Sequence, residues 1–320
     1  MKKLTGVFVI ETGVVNRGDG IGNIATVKKV TTHEGIKVFF SPVSYKRALW
    51  TSLEEGAGWN PCMVTRDSGV VQRTGTIIDS EEFDFAGTMI AKPRYSRNCT
   101  FLVDKGISIN NYAGDTEFMT NMALANKYGQ NEANIINKEN FHGIYIMPFV
   151  IELYRVGLQE IEDIKIDFDK DDPKSKKISK IYQALKLKDR IASDELAAKV
   201  DDITKDDKKT IIRLTLAERK KRISSLLRGM GDLGRRIEGS PKNLTPFFAA
   251  FSLDYQTPKY FLAIKKLLSE NNKLEKKDIV DFGSKESKTI HVAGIDNYDQ
   301  IVSNLVSEIE TIWSTPDVKN

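Results

Sequence analysis

Two cysteines in 320 residues, Cys62 and Cys99, are too few for a disulfide framework, and neither sits in a CxxC or Cys/His cluster that would hold zinc. The three histidines, His33, His142 and His291, are scattered with no Cys or Ser pattern beside them, so no nucleophilic triad is expected and structural or surface roles are. No apolar run is long enough to cross a bilayer. After Lys2 and Lys3, the stretch Leu4-Thr5-Gly6-Val7-Phe8-Val9-Ile10 is too short for a secretion signal and reads as a first strand. A reducing, cytoplasmic setting without a membrane partner is the expectation. Charge of one sign is also lacking: 48 basic and 44 acidic residues leave +4, so any nucleic-acid site must come from local clustering.

The composition, 40% hydrophobic and 29% charged, is that of a folded chain. A chain of this length buries about three-quarters of the surface its unfolded form exposes and needs no covalent staples. Residues 4–12 read as a strand and Gly13 to Gly35, with five glycines, as a long loop. A short strand at Lys37-Val38-Phe39-Phe40 leads to Ser41-Pro42, an N-cap followed by proline at the first helical position. Residues 56–112 look irregular and β-rich, with short strand-like runs at 76–78, 100–103 and 107–109. His142 to Val156 is apolar on both faces, which places it centrally in a sheet. From Gln159 to Lys209 the chain is densely charged and reads as a solvent-facing helical insertion outside the core.

Thr215-x-x-Glu218 is a capping box, and Ile223, Leu226, Leu227 and Met230 follow at helical spacing; Gly229, Gly231 and Gly234 are expected to end that helix. Pro246 to Leu253 reads as a buried strand, Tyr260 to Leu268 as a helix, and Tyr298, Ile301, Val302, Leu305, Ile309 and Ile312 as the apolar stripe of a terminal helix. The plan is α+β with non-adjacent strands pairing, and a ferredoxin-like or RRM-like core with large insertions satisfies it.

Three motifs carry possible chemistry. Ser41-Pro42-Val43-Ser44-Tyr45-Lys46-Arg47 brings free helix N–H groups, two hydroxyls and two cations together, either a phosphate site or an ordinary capped helix with a basic face. Arg228-Gly229-Met230-Gly231-Asp232-Leu233-Gly234-Arg235-Arg236 reads as a glycine-punctuated loop with adjacent arginines, followed by Lys242; it lacks GxxxxGK[ST] and is equally a C-cap with surface arginines. Asn16-Arg17-Gly18-Asp19-Gly20-Ile21-Gly22-Asn23 fails both the calcium-loop and the GxGxxG spacing, so no metal or cofactor is expected.

Glu11-Thr12-Gly13, the Asn16-Arg17-Gly18 loop, Lys28-Lys29 and Phe40-Ser41-Pro42-Val43-Ser44-Tyr45-Lys46-Arg47-Ala48-Leu49-Trp50 together resemble the opening of the backbone-subunit family of type I CRISPR surveillance complexes (Cascade), the Cas-seven family. Phe83-Asp84-Phe85-Ala86-Gly87-Thr88-Met89 and Gly234-Arg235-Arg236-Ile237-Glu238-Gly239-Ser240 resemble its DevR-like, subtype I-B branch. The resemblance covers residues 4–55, 76–160 and 215–255 and fades in the charged insertion.

It implies a modified RRM-like palm, a β-rich finger region and a projecting thumb hairpin. The segments expected are 1–55 for the first part of the palm, 56–112 for the finger, and 113–160 for the thumb and central strand. The charged insertion would be 161–214, and the second part of the palm with the C-terminal helix 215–320. Copies of the chain would line up along a guide RNA (crRNA) beside other Cascade subunits, leaving the bases free to pair with target DNA. The RNA contacts expected are Asn16, Arg17, Lys28, Ser41, Ser44, Lys46, Arg47, Arg235, Arg236 and Lys242, with Ile135 and Ile136 as thumb wedges, in a thumb spanning 121–141. No catalysis is expected. Related type III subunits cut RNA with an aspartate where Gly22-Asn23-Ile24 stands here, and only Asp19 could substitute. A DNA-binding autoregulator is the third class, but a recognition helix after Gly231 would have to pass Gly234, Gly239 and Pro241.

Overall fold

The computed structural model describes residues 2–315 apart from 23, 68, 92, 130–133, 163, 188, 207, 272 and 273. Its centre is an antiparallel sheet in the order His291–Gly294, Phe248–Ser252, Leu4–Thr12, Gly143–Ile151, Gly106–Asn111, Gly35–Phe40, Lys29–Thr32, with Phe101–Val103 also pairing Gly143–Ile151. Leu4–Thr12 and Gly143–Ile151 lie side by side over nine residue pairs, Leu4 opposite Ile151 and Thr12 opposite Gly143. Their two-sided apolar character follows, because alternate side chains enter two different cores. Phe8 and Ile10 face one core, and Val7 and Val9 the other.

Helices Pro42–Ala57, Leu216–Gly231 and Tyr298–Ser314 cover the first face. Ile223, Leu226, Leu227 and Met230 are fully buried there, each contributing about 1.5–3 kcal/mol by leaving water. Gly229 and Gly231 do not punctuate a loop, as the sequence suggests, but let helices close up. A Cβ on Gly229 would stand 2.6 Å from Leu53 Cδ2, and one on Gly231 2.1 Å from Tyr298 Cε1. The helix does end at Gly231. The second face is closed by Phe261–Asn271 and by a helix not anticipated from the sequence, Lys276–Lys285, which bury Ile264, Leu268 and Ile279 against Val7, Val9, Ile146, Phe248 and Ala250.

Beside this sheet stands a second apolar core built from two separate stretches. Ile77, Ile78, Phe83, Ile90 and Tyr95 pack with Ile161, Ile166, Phe168, Ile178, Ile181, Tyr182, Val200, Ile203 and Ile212. The charged insertion is therefore not peripheral. Its helix Lys174–Ala184 and strands Leu158–Glu162, Val200–Lys205 and Lys209–Leu214 turn their apolar side inward and most of their charged side chains to water, while Lys177 is buried and donates to the Lys170 carbonyl at 2.7 Å. Within the expected finger segment lie two hairpins, Met63–Asp67 with Val70–Thr74 and Thr88–Ala91 with Arg94–Arg97, whereas the 101–103 and 106–111 runs belong to the central sheet.

Asp84 sits where the two cores meet. On the short helix Glu81–Ala86, Phe83 enters the second core and Phe85 the first, with the 0%-exposed carboxylate of Asp84 between them. It pairs with Arg97 and, at 3.1 Å, with Arg222, and accepts the Gly157 N–H at 3.0 and 3.2 Å. Glu218 holds Arg222 Nε at 2.8 Å. Burial alone would lower the Arg222 pKa, but Asp84, Glu218 and Glu81 outweigh it and raise it.

Residues 13–35 are not a loop. Arg17–Ile21 and Ile24–Val27 pair as a hairpin, and Ile24–Val27 then runs parallel to Ile135–Glu139, whose antiparallel partner is Thr116–Thr120. The result is a small four-stranded sheet at the Thr12 end of the first strand. Among the described residues no helix is long and apolar enough to cross a membrane.

Candidate nucleic-acid interface

The first strand ends at Thr12, and Val14 and Val15 turn back into the core, so Asn16 emerges beside the start of helix Pro42–Ala57. Asn16 Oδ1 accepts the Ser41 N–H at 3.0 Å, and Ser41 Oγ accepts the Ser44 N–H at 3.2 Å. The capped helix start read from Ser41-Pro42 is present, with an asparagine bracing it from outside. Asn16 thus serves the cap rather than standing free for a ligand.

The glycine-arginine stretch is a hairpin: Gly234–Ile237 pairs Ser240–Asn243, with Arg235 opposite Lys242 and Arg236 opposite Pro241. Arg235 Nη1 donates to Ser44 Oγ and, at 3.3 Å, to the Ser44 carbonyl. Burial lowers the Arg235 pKa. A Cβ on Gly13 would lie 3.5 Å from Lys242 Nζ. The fold thus brings the two basic motifs, nearly 200 positions apart, to one place at the end of the first strand.

Strand alternation separates what the sequence put side by side. Arg235 faces the helix start, half-buried, while Arg236 faces solvent. Lys46 also departs from the expected set: its Nζ lies 3.2 Å from Cys99 Sγ and 5.5 Å from the Phe101 ring, away from Ser44 and Arg235. Arg47, one residue on and about 100° round the helix, is exposed, and neither it nor Arg236 has a salt-bridge partner among the described residues. Lys28 is half-buried, its carbonyl accepting the Phe39 N–H.

The expected contact Arg17 and four residues outside the expected set, Lys29, Lys138, Glu139 and Glu238, complete the surface. Arg17 Nη1 donates to the Glu139 carbonyl, and its Nη2 lies 3.5 Å from Glu238 Oε2. Lys138 Nζ meets the same Glu238 oxygen at 2.7 Å. Lys29 Nζ is 2.5 Å from Glu139 Oε1 and 4.7 Å from the centre of the Tyr112 ring. For Glu139, burial pushes the pKa up, but the Lys29 hydrogen bond and the Val27 N–H bring it below the ordinary carboxylate value. In the sequence Glu238 stands within the Gly234–Ser240 run that carries the resemblance, but nothing there pairs it with Arg17 or Lys138.

Ile135 and Ile136 lie in a hairpin strand, opposite Thr120 and Met119, and project to opposite faces. They are 51% and 46% exposed, within a patch that includes Phe118, Met119, Leu124 and Tyr128. Ile136 shares its face with Lys138, and hence with the basic surface; Ile135 shares its face with Phe118. The segment 130–133 of the expected thumb lies outside the described residues, as does Asn23. Asp19 is exposed, and its carbonyl accepts the Thr26 hydroxyl.

No curated protein matches the chain. In fold it is similar to a chain of a "CRISPR RNA-guided surveillance complex, pre-nicking", with TM-score 0.57 and 9% identity, covering 96% of this chain and 100% of that one. A chain of a second "CRISPR RNA-guided surveillance complex" gives TM-score 0.54 and 10% identity, covering 96% and 99%. Residues 4–259 match the family described as "CRISPR-associated negative auto-regulator DevR/Csa2". With most of its length in that match, the chain belongs to the DevR/Csa2 family of CRISPR-associated proteins.

Proposed function

We propose that the chain is a crRNA-binding backbone subunit of a subtype I-B Cascade, repeated along the guide and presenting it for pairing with target DNA. The observation that carries this reading is the meeting of the helix start at Ser41–Arg47 with the Arg235 and Lys242 hairpin. Hydroxyls and the Arg235 and Lys242 cations converge there at the positive end of the helix dipole, a form suited to phosphates and indifferent to base identity.

The fold supports an RRM-like palm. Leu4–Thr12, Pro42–Ala57, Gly106–Asn111, Gly143–Ile151, Leu216–Gly231 and Phe248–Ser252 follow a βαββαβ order, with the strands arranged fourth, first, third, second. An ordinary RRM stacks bases on its open sheet face. Here helices Phe261–Asn271 and Lys276–Lys285 occupy that face, which directs RNA to the loops and hairpins at the Thr12 end. The exposed hairpin Thr116–Glu139 would serve as the thumb, with Ile136 as the wedge nearest the basic surface.

A DNA-reading helix-turn-helix lacks support, because the residues after Gly231 form the Gly234–Asn243 hairpin instead of a second helix. The reading includes no catalytic step. Purification from cells followed by sequencing of bound nucleic acid tests the proposal. The expected result is repeat-flanked small RNAs with no fixed guide sequence. Recovery of one defined DNA operator, or metal-dependent cutting of target RNA by the assembled complex that is lost in Asp19→Ala, would overturn it.

A further inference from the structure

The hairpin Gly234–Asn243 turns through Glu238 and Gly239, both left-handed, with φ of 51° and 79°. Two-residue turns of this kind favour Asn-Gly or Asp-Gly, since short side chains tolerate positive φ. Glu238 is a poor choice by turn chemistry, and a non-glycine residue held left-handed is stored strain of the kind found at ligand clamps. What holds it there is electrostatic. Its carboxylate is met by Lys138 Nζ at 2.7 Å from the thumb-like hairpin and by Arg17 Nη2 at 3.5 Å from the first hairpin.

Three elements distant in sequence thus converge on one carboxylate, which is itself 41% exposed. The Lys138 hydrogen bond and the charge of Arg17 hold its pKa below the ordinary range. Arg17 is an incomplete partner: its Nε is buried and has no hydrogen-bond acceptor among the described residues, although a guanidinium is built to bind an oxyanion through two donors.

We propose that Arg17 and Lys138 form a phosphate subsite and that Glu238 is its internal stand-in, occupying the subsite in the free chain and yielding it to a phosphate of a bound polyanion. The inference deepens the RNA-binding reading and rests on it. A carboxylate satisfies the two cations only in part, Arg17 Nη2 lying at 3.5 Å, whereas a phosphate offers more acceptor oxygens to Arg17 Nη2 and Lys138 Nζ together. Displacement releases Glu238, and with it the restraint that ties the turn to the two neighbouring hairpins. The consequence is a groove that stays neutralised until a chain of phosphates arrives, which disfavours weak binding of isolated small anions.

The test uses the full chain and two probes, a single-stranded RNA oligonucleotide and inorganic polyphosphate. Glu238→Asn removes the charge while improving the turn, and Glu238→Gln removes it with the length kept. Each is expected to tighten both probes about three- to tenfold at low salt, the range set by freeing two part-exposed ion pairs. Melting should be unchanged or slightly higher for Glu238→Asn. In an Arg17→Gln/Lys138→Gln background the gain should vanish. Unchanged or weaker binding by both Glu238 variants, or a gain that persists in that background, overturns the subsite while leaving RNA binding intact. Tightened polyphosphate binding with no RNA binding keeps the subsite and sinks the RNA reading. Binding of neither probe overturns both.

Discussion

Strand Gly143–Ile151 and helix Lys174–Ala184 both bury isoleucine side chains, Ile151 in the first core and Ile178 and Ile181 in the second, all at 0% exposure. The strand is apolar on both faces because both faces are covered. The helix carries four lysines and only one buried stripe, Ile178, Ile181, Tyr182 and Leu185, at i, i+3, i+4 and i+7. High charge is therefore no sign that a segment lies outside the core. It records how much of each element's circumference faces water.

The sharpest way to break the comparison is at the joint between the two bodies. Asp84→Ala leaves Arg97 and Arg222 buried without their shared carboxylate, and the melting free energy should fall by about 3–5 kcal/mol, read by denaturant unfolding. If the second body were a loosely attached insertion, that loss would be small. Within the second body, Ile181→Ala should cost about 2–5 kcal/mol by the same measurement, as in any well-packed core. Lys176→Ala, on the same helix at 57% exposure, should leave unfolding near wild type.

The basic surface of the first body should respond in the opposite sense, in binding but not in stability. Arg47→Gln, Arg236→Gln and Lys242→Gln should each reduce the magnitude of the log-affinity against log-salt slope for single-stranded RNA by about 0.7. Thermal melting should stay near wild type. Lys46→Gln, whose side chain turns to Cys99 and Phe101, should leave that slope unchanged. A loss at Lys46 equal to that at Arg47 would mean that the helix presents a different face to RNA.

The smallest effect concerns pH. Glu139 titrates below its ordinary value of 4.5 because Lys29 and the Val27 N–H favour its charged form. Its contribution to folding is thus fully present above about 4.5 and is lost as pH falls through the lower folded value. Glu139→Gln should accordingly flatten the acid limb of the stability profile a little. A steeper acid limb would contradict the pairing.

Local chemistry in the sequence by itself determined much of the central scaffold. The first strand, the Ser41 cap and Pro42, the Thr215 N-cap, the two-faced strand near 143–151 and the apolar stripe of the last helix are all set by neighbours within two turns or one pleat, although Glu218 pairs with Arg222 instead of closing a capping box. Tertiary structure decided the rest. The 17–27 hairpin is short and glycine-rich, and it takes strand form only because Ile135–Glu139 pairs alongside it. The second core joins residues 77–95 to 161–214, so neither stretch shows a complete hydrophobic face alone. The basic surface depends on which way each strand residue points. That separated Arg235 from Arg236 and Ile135 from Ile136, turned Lys46 away, and brought in Lys138 and Glu238, whose neighbours are fixed by packing across the chain and not by position along it.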